Sequence, residues 1–145
     1  KRTWPGTCGF IPRMLGGRWI SSPATPREYL FRQALQNEVF GDSIRLEAFM
    51  LCLGPSMLIG HAPEGLSLVI SQPWLDAADE HQPHPTEEQI AEHLLQRGFE
   101  PLLNTFFGWS NTDYGYVVLD AKPDNFIATA QGIFPIDLLM TEAPQ

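Results

Sequence analysis

Lysine and arginine are scarce in this chain: nine, against 17 aspartates and glutamates in 145 residues, for a formal net charge of −8. Binding nucleic acid without regard to sequence takes a surplus of those cations to neutralise phosphates, so the balance excludes a broad basic face for that purpose. It leaves room for a small basic pocket that takes a nucleotide. Cysteine is scarcer still. Cys8 and Cys52 have neither CxxC spacing nor any pairing logic, which favours two buried thiols in a reducing cytoplasm over a disulfide. Long apolar runs are lacking as well, those present being strand-sized, as in Leu66 to Ile70, so no membrane span is expected. No secretory signal is visible, because Trp4-Pro5-Gly6 follows the basic start where an apolar run should stand. The chain opens on Lys1 and not on methionine, which suits a start within a longer protein. His81, His84 and His93 lie close in sequence but are interleaved with Pro83 and Pro85 in an acidic stretch, which reads as a solvated linker and not as a zinc site. Internal repeats and low-complexity segments are absent.

What is present is a 43% hydrophobic composition that suits one compact domain with a real core. Residues 1–26, rich in Gly and Pro, read as irregular with one short strand. A helix is expected over 26–39: Thr25 as N-cap, Pro26 in the first helical position, Glu28 as the N3 partner, an apolar stripe of Leu30, Ala34, Leu35 and Val39, and Gly41 as terminator. Three strands follow in an antiparallel meander, Leu46–Leu53, Met57–Ile59 and Leu66–Ser71. Pro73 cannot donate to a ladder, so the chain leaves the sheet there, and 72–85 reads as hinge and linker. Thr86 with Gln89 forms a second capping box for a helix that Gly98 closes. Leu102–Trp109 and Tyr116–Leu119 read as one hairpin, and Phe126–Thr129 with Ile133–Ile136 as another, turning at Gln131-Gly132.

Between and after those last hairpins stands the chemistry. Asp120-x-Lys122-Pro123-x-Asn125, followed by Asp137 at the end of the second hairpin, has the spacing of a phosphoryl-transfer loop. That reaction needs a carboxylate to orient the attacking hydroxyl and take its proton, a cation to offset charge on the transferred group, and oxygen ligands for Mg²⁺. Asp120 suits the first role, Lys122 the second, and Asn125 with Asp137 the third. The same residues also make ordinary turn chemistry.

Beyond this block, the sequence resembles the protein-kinase superfamily, in particular the small kinase-like domains of polyvalent proteins from phages and mobile elements. The resemblance runs over roughly residues 27–140, through Tyr29-Leu30 to Asp42, Val69-Ile70-Ser71-Gln72-Pro73, the helix ending at Gly98-Phe99, and Asp120 to Asp137. It implies an α+β fold: an antiparallel sheet with a bridging helix, a hinge, one short helix, and β-hairpins that carry the catalytic loop. Residues 1–71 would form a small-lobe-like part, 72–85 the hinge and linker, and 86–145 a reduced catalytic lobe. ATP and Mg²⁺ are the implied cofactors, with adenine lying on the hinge at Ser71, Gln72 and Trp74, and Glu28 near the phosphates. The chain departs from that family in several places. It has no glycine-rich phosphate-covering loop, Gly16-Gly17 being too little. Lys1 stands as the remnant of the strand lysine, with Glu28 or Glu38 as its partner. Val118-Leu119 precedes Asp120 where the family has His-Arg, and Leu138-Leu139 follows Asp137 where it has Phe-Gly.

Three functions follow as expectations. The leading one is an ATP- and Mg²⁺-dependent phosphotransferase in the cytoplasm, with an acceptor that the sequence does not name. The second is an inactive kinase-like module that binds nucleotide or protein in a larger assembly. An incomplete small lobe would then leave apolar strand surface for a partner or a second copy. The third is an interaction domain without a nucleotide site, resting on Trp74, Trp109 and Tyr114, which read rather as core or interface.

Overall fold

The computed structural model describes residues 1–52 and 65–143. It is an α+β protein with two α-helices and small antiparallel sheets among those residues. No described helix is long and apolar enough to cross a membrane.

The first 26 residues are more regular than their composition implies. Strand β1 (Phe10–Leu15) pairs with β2 (Arg18–Pro23) across Gly16-Gly17. Both glycines have φ near +60 to +80° (56° and 77°), which a two-residue turn matched to strand twist requires. Residues 1–6 also pair, running along one edge of β4 (Gly65–Ser71): Thr3 N–H donates to Leu68 O and Ile70 N–H to Lys1 O, each at 2.9 Å. Gly65 closes this contact, because a Cβ there would stand 2.7 Å from Gly6 Cα.

Helix α1 (Pro26–Phe40) starts and stops as the sequence predicts: Thr25 and Glu28 complete the capping box, and Gly41, at φ 69°, receives the chain in the left-handed region. Its buried face differs from the expected stripe. Ala34 is exposed, while Tyr29, Arg32, Gln33, Leu35, Gln36 and Phe40 are buried. Three polar side chains on the inward face hide the helical period from an apolar count.

On the other edge of β4 lies β3 (Arg45–Cys52), antiparallel, with a bulge between Leu46 and Ala48. The two pair directly and antiparallel, so they are not the outer strands of the expected meander, whose middle strand, Met57–Ile59, lies outside the described residues. The chain leaves β4 at Pro73 as expected, but 76–85 is no free linker. Ala78 N–H donates to Ala128 O (2.8 Å), Ala128 N–H to Pro83 O (2.9 Å), and His84 Nδ1 meets Phe126 O at 2.8 Å. Helix α2 (Glu87–Leu95) carries the Thr86–Gln89 capping box.

A four-stranded antiparallel sheet follows, in the order β10 (Leu139–Glu142), β7 (Tyr116–Leu119), β6 (Trp109–Asn111), β5 (Glu100–Pro101). The expected strand over 102–108 is instead a loop: Asn104 and Phe107 have φ of 60° and 53°, and Leu102 N–H donates to Gly108 O. Apolar content there marks an exposed surface, since Leu103 and Phe106 are about nine-tenths exposed. A 3₁₀ turn (Pro123–Asn125) leads into the predicted hairpin of β8 (Phe126–Thr129) and β9 (Gly132–Pro135).

Two buried clusters organise these elements. The larger joins Leu35, Phe40, Ile90, Leu94, Phe99, Val118, Phe126, Leu138 and Met140 with their neighbours; the smaller joins Cys8, Tyr29, Ile44, Leu68 and Ile70. Because α1 supplies Tyr29 to one and Leu35 and Phe40 to the other, it fixes the strand layer relative to the loop-bearing part. Cys8 and Cys52 are both free thiols.

Candidate functional site

The loop after β7 is tied down locally. Val117, Val118 and Leu119 are buried, so the strand ends with its last side chains in the core and Asp120 at the surface. Asp120 has φ 59°, a conformation that costs a non-glycine residue about 1 kcal/mol and that Asp tolerates better than most. Asn125 holds it there. Its amide nitrogen donates to Asp120 O at 2.7 Å and to Asp120 Oδ2 at 2.8 Å, while Ala121 N–H donates to Phe107 O at 3.0 Å. Lys122 Nζ stands 3.2 Å from Asp120 Oδ1, both side chains being 40% exposed. Pro123 starts the 3₁₀ turn that swings Asn125 back.

Asp137 is positioned from a distance. The hairpin β8–β9 returns the chain so that Ile136 N–H donates to Asn125 O at 2.8 Å, and Asp137 then meets α1. Arg32 Nη2 lies 3.0 Å from Asp137 Oδ1. One turn further along α1, Gln36 accepts from Leu138 N–H at 3.3 Å and donates to Pro135 O and to Asp42. Two residues four apart on one helix thus grip the segment 135–138 on both sides of Asp137.

Asp120 and Asp137 line one cleft of about 900 Å³, with Lys1, Tyr29, Arg32 and, from the β1–β2 hairpin, Phe10 and Trp19. Asn125 is not among the lining residues and reaches the cleft only through its hold on Asp120. Lys1 stands at the junction with a second groove of about 680 Å³, lined by Gln72, Trp74, Leu75, Ile127 and Ile136. Its ammonium donates to Ile136 O. Partial burial pushes the Lys1 pKa below the ordinary lysine value; Asp137 and Asp42 oppose that shift and Arg32 adds to it.

The other sequence-predicted positions separate. Gln72 lines the groove, but its amide is committed to Asp42 (2.6 Å) and Pro135 O (3.1 Å). Trp74 lies open at the groove, 88% exposed, its indole N–H on Asp76 at 3.0 Å. Ser71 lines neither hollow, and its hydroxyl donates to Glu47. Glu28 also lines neither; it serves the capping box and Arg13 (2.6 Å), and Thr25 holds its carboxyl below the usual carboxylate range. Glu38 accepts from the Tyr116 hydroxyl. So neither glutamate meets Lys1. Of the three aromatics singled out above, Trp109 is core, while Trp74 and Tyr114 are exposed. Arg32 and Gln36 were missed by sequence reasoning. The available signal was a pair of polar residues at helical spacing beside Tyr29, Leu35 and Phe40.

The donor set available to a divalent cation is thin. Among the described residues no group of three or more His, Cys, Asp or Glu could hold a metal ion. Asp137 keeps Oδ2 and Asn125 keeps Oδ1 without a hydrogen-bond partner in the described residues. Two such hard oxygens suit Mg²⁺ only in company with phosphate oxygens and water. No family model, curated protein or solved structure matches the chain.

Proposed function

We propose that this chain is a kinase-like, ATP- and Mg²⁺-dependent phosphotransferase, built like the small kinase-like domains of phage and mobile-element proteins and working in the cytoplasm. The observation that carries this reading is the shared cleft: Asp120 and Asp137, from separate loops, line one hollow that Lys1 joins to an apolar groove beside Pro73 and Trp74. Adenine would lie in that groove against Trp74 and Ile127, with the phosphates toward Lys1. The Asp120 carboxylate would take the proton of an acceptor hydroxyl as its oxygen bonds to the γ-phosphorus and the bond to the β-phosphate oxygen breaks, releasing ADP. Asn125 would keep Asp120 aimed, and Lys122 would offset the charge that develops on the phosphoryl oxygens. Asp137 would hold Mg²⁺ in the cleft, with Asn125, the other expected ligand, acting through Asp120, and the ion would supply charge neutralisation on the phosphates.

A second reading, a nucleotide-binding module without transfer activity, is favoured by a specific observation. Both carboxylates are paired with cations, Asp120 with Lys122 and Asp137 with Arg32, and both oxygens of Asp120 are engaged.

A thermal shift with ATP and Mg²⁺ tests binding, because a ligand of the folded state alone raises stability by about 2.7 kcal/mol at one hundred times its Kd. Transfer of labelled phosphate then separates the two readings. Asp120→Asn should retain the shift and lose transfer. A shift without transfer in the native chain supports the module, and no shift at millimolar nucleotide overturns both.

A further inference from the structure

Three of the nine basic side chains in this acidic chain, Lys1, Arg2 and Arg32, line the cleft that holds Asp120 and Asp137. Arg32 is the least expected of them, since it rises from α1 and is 5% exposed. Its guanidinium is fixed on several sides. Nη1 donates to Phe10 O at 3.1 Å, the Tyr29 ring lies 5.1 Å away, and the amide orientation that satisfies Gln33 puts its oxygen 3.0 Å from Nη2 and 3.1 Å from Nε. Among the described residues its one anionic partner is Asp137, at 3.0 Å from Nη2, and that carboxylate is 53% exposed on the cleft wall. The cation is therefore rigid and dry while its counter-ion is wet and replaceable. A planar guanidinium serves a phosphate oxygen as well as a carboxylate oxygen, and in a desolvated setting that hydrogen bond is strong.

We propose that Arg32 is a phosphate ligand whose place Asp137 holds: an entering polyphosphate takes over the Nη2 hydrogen bond and frees Asp137. The cleft then binds the phosphate chain with no metal held beforehand by the protein, which agrees with its thin set of metal ligands. This inference rests on the nucleotide reading of the same cleft.

Titration calorimetry of the full chain with sodium tripolyphosphate in EDTA, and with ATP in EDTA and in Mg²⁺, tests it. Tripolyphosphate and ATP should both bind in EDTA. Asp137→Asn, which removes the competing charge and keeps the shape, should tighten metal-free tripolyphosphate binding by about threefold to tenfold. Arg32→Gln should weaken it by tenfold or more. Binding that Asp137→Asn weakens or leaves unchanged overturns the proposal, and this arm does not depend on whether Arg32→Gln folds. ATP that binds with Mg²⁺ and not in EDTA overturns the proposal while the nucleotide reading stands. No binding of ATP under either condition removes both.

Discussion

Asp120 and Asp137 face the same cleft but are held by opposite means. Asp120 is fixed by residues within five positions of itself, Lys122 and Asn125, through contacts at the surface. Asp137 is fixed by Arg32, 105 positions away, and by Gln36 gripping the residues around it. The first arrangement stores its geometry in a short sequence and loses little if the rest of the chain shifts. The second makes the position of one carboxylate depend on how α1 packs against the whole molecule.

That contrast can be broken experimentally. Arg32→Ala removes a buried cation and leaves Phe10 O and Gln33 without their donor, so unfolding in urea should show a loss of about 3 kcal/mol. Asn125→Ala should cost about 1 kcal/mol, because it removes two bonds at a half-buried loop, and the loss should show in denaturant midpoint with an unchanged slope. Lys122→Ala should cost at most about 0.5 kcal/mol, since both partners are 40% exposed, and 1 M salt should erase that difference. A greater cost for Lys122→Ala than for Arg32→Ala would overturn the comparison.

A pH titration probes the packing on which both regions stand. His93 stacks on Phe40 of α1 and meets the edge of Phe126 at the start of β8. Burial, with Arg97 nearby, lowers its pKa from 6.5 to about 4. The unfolded chain therefore takes up this proton first. Stability is full above pH 6.5, declines as the pH falls toward 4, and loses at most about 3 kcal/mol from this group. The slope in that window should shrink in His93→Leu, measured by urea unfolding at several pH values.

The same division decides what the sequence disclosed. Helix α1 was legible at both ends because Thr25, Pro26, Glu28 and Gly41 act through neighbours. The β8–β9 hairpin was legible for the same reason. Local chemistry failed in two places. Residues 102–107 carry a strand-like apolar count, yet Asn104 and Phe107 turn through positive φ and the apolar side chains face outward. Residues 1–6 carry no strand pattern and pair with β4 because that edge offers free backbone groups. Arg32 and Gln36 could not be chosen from the sequence, since nothing near them in the chain announces that Asp137 and Leu138 will arrive opposite.

The docking of Lys1 sets an order of events for folding. Its backbone bonds to Ile70 and its ammonium to Ile136 span 69 and 135 positions, so the cleft closes only after loops of that length have been brought together. The hairpins and α1 need no such closure. Refolding should therefore produce an ordered Asp120–Asn125 loop before the cleft is complete. In pulsed hydrogen exchange, the Ile70 amide, which donates to Lys1 O, should gain protection later than the Asn125 amide, which donates to Lys122 O. A ligand of the cleft cannot assist the early steps of such a pathway; it can only trap the last one.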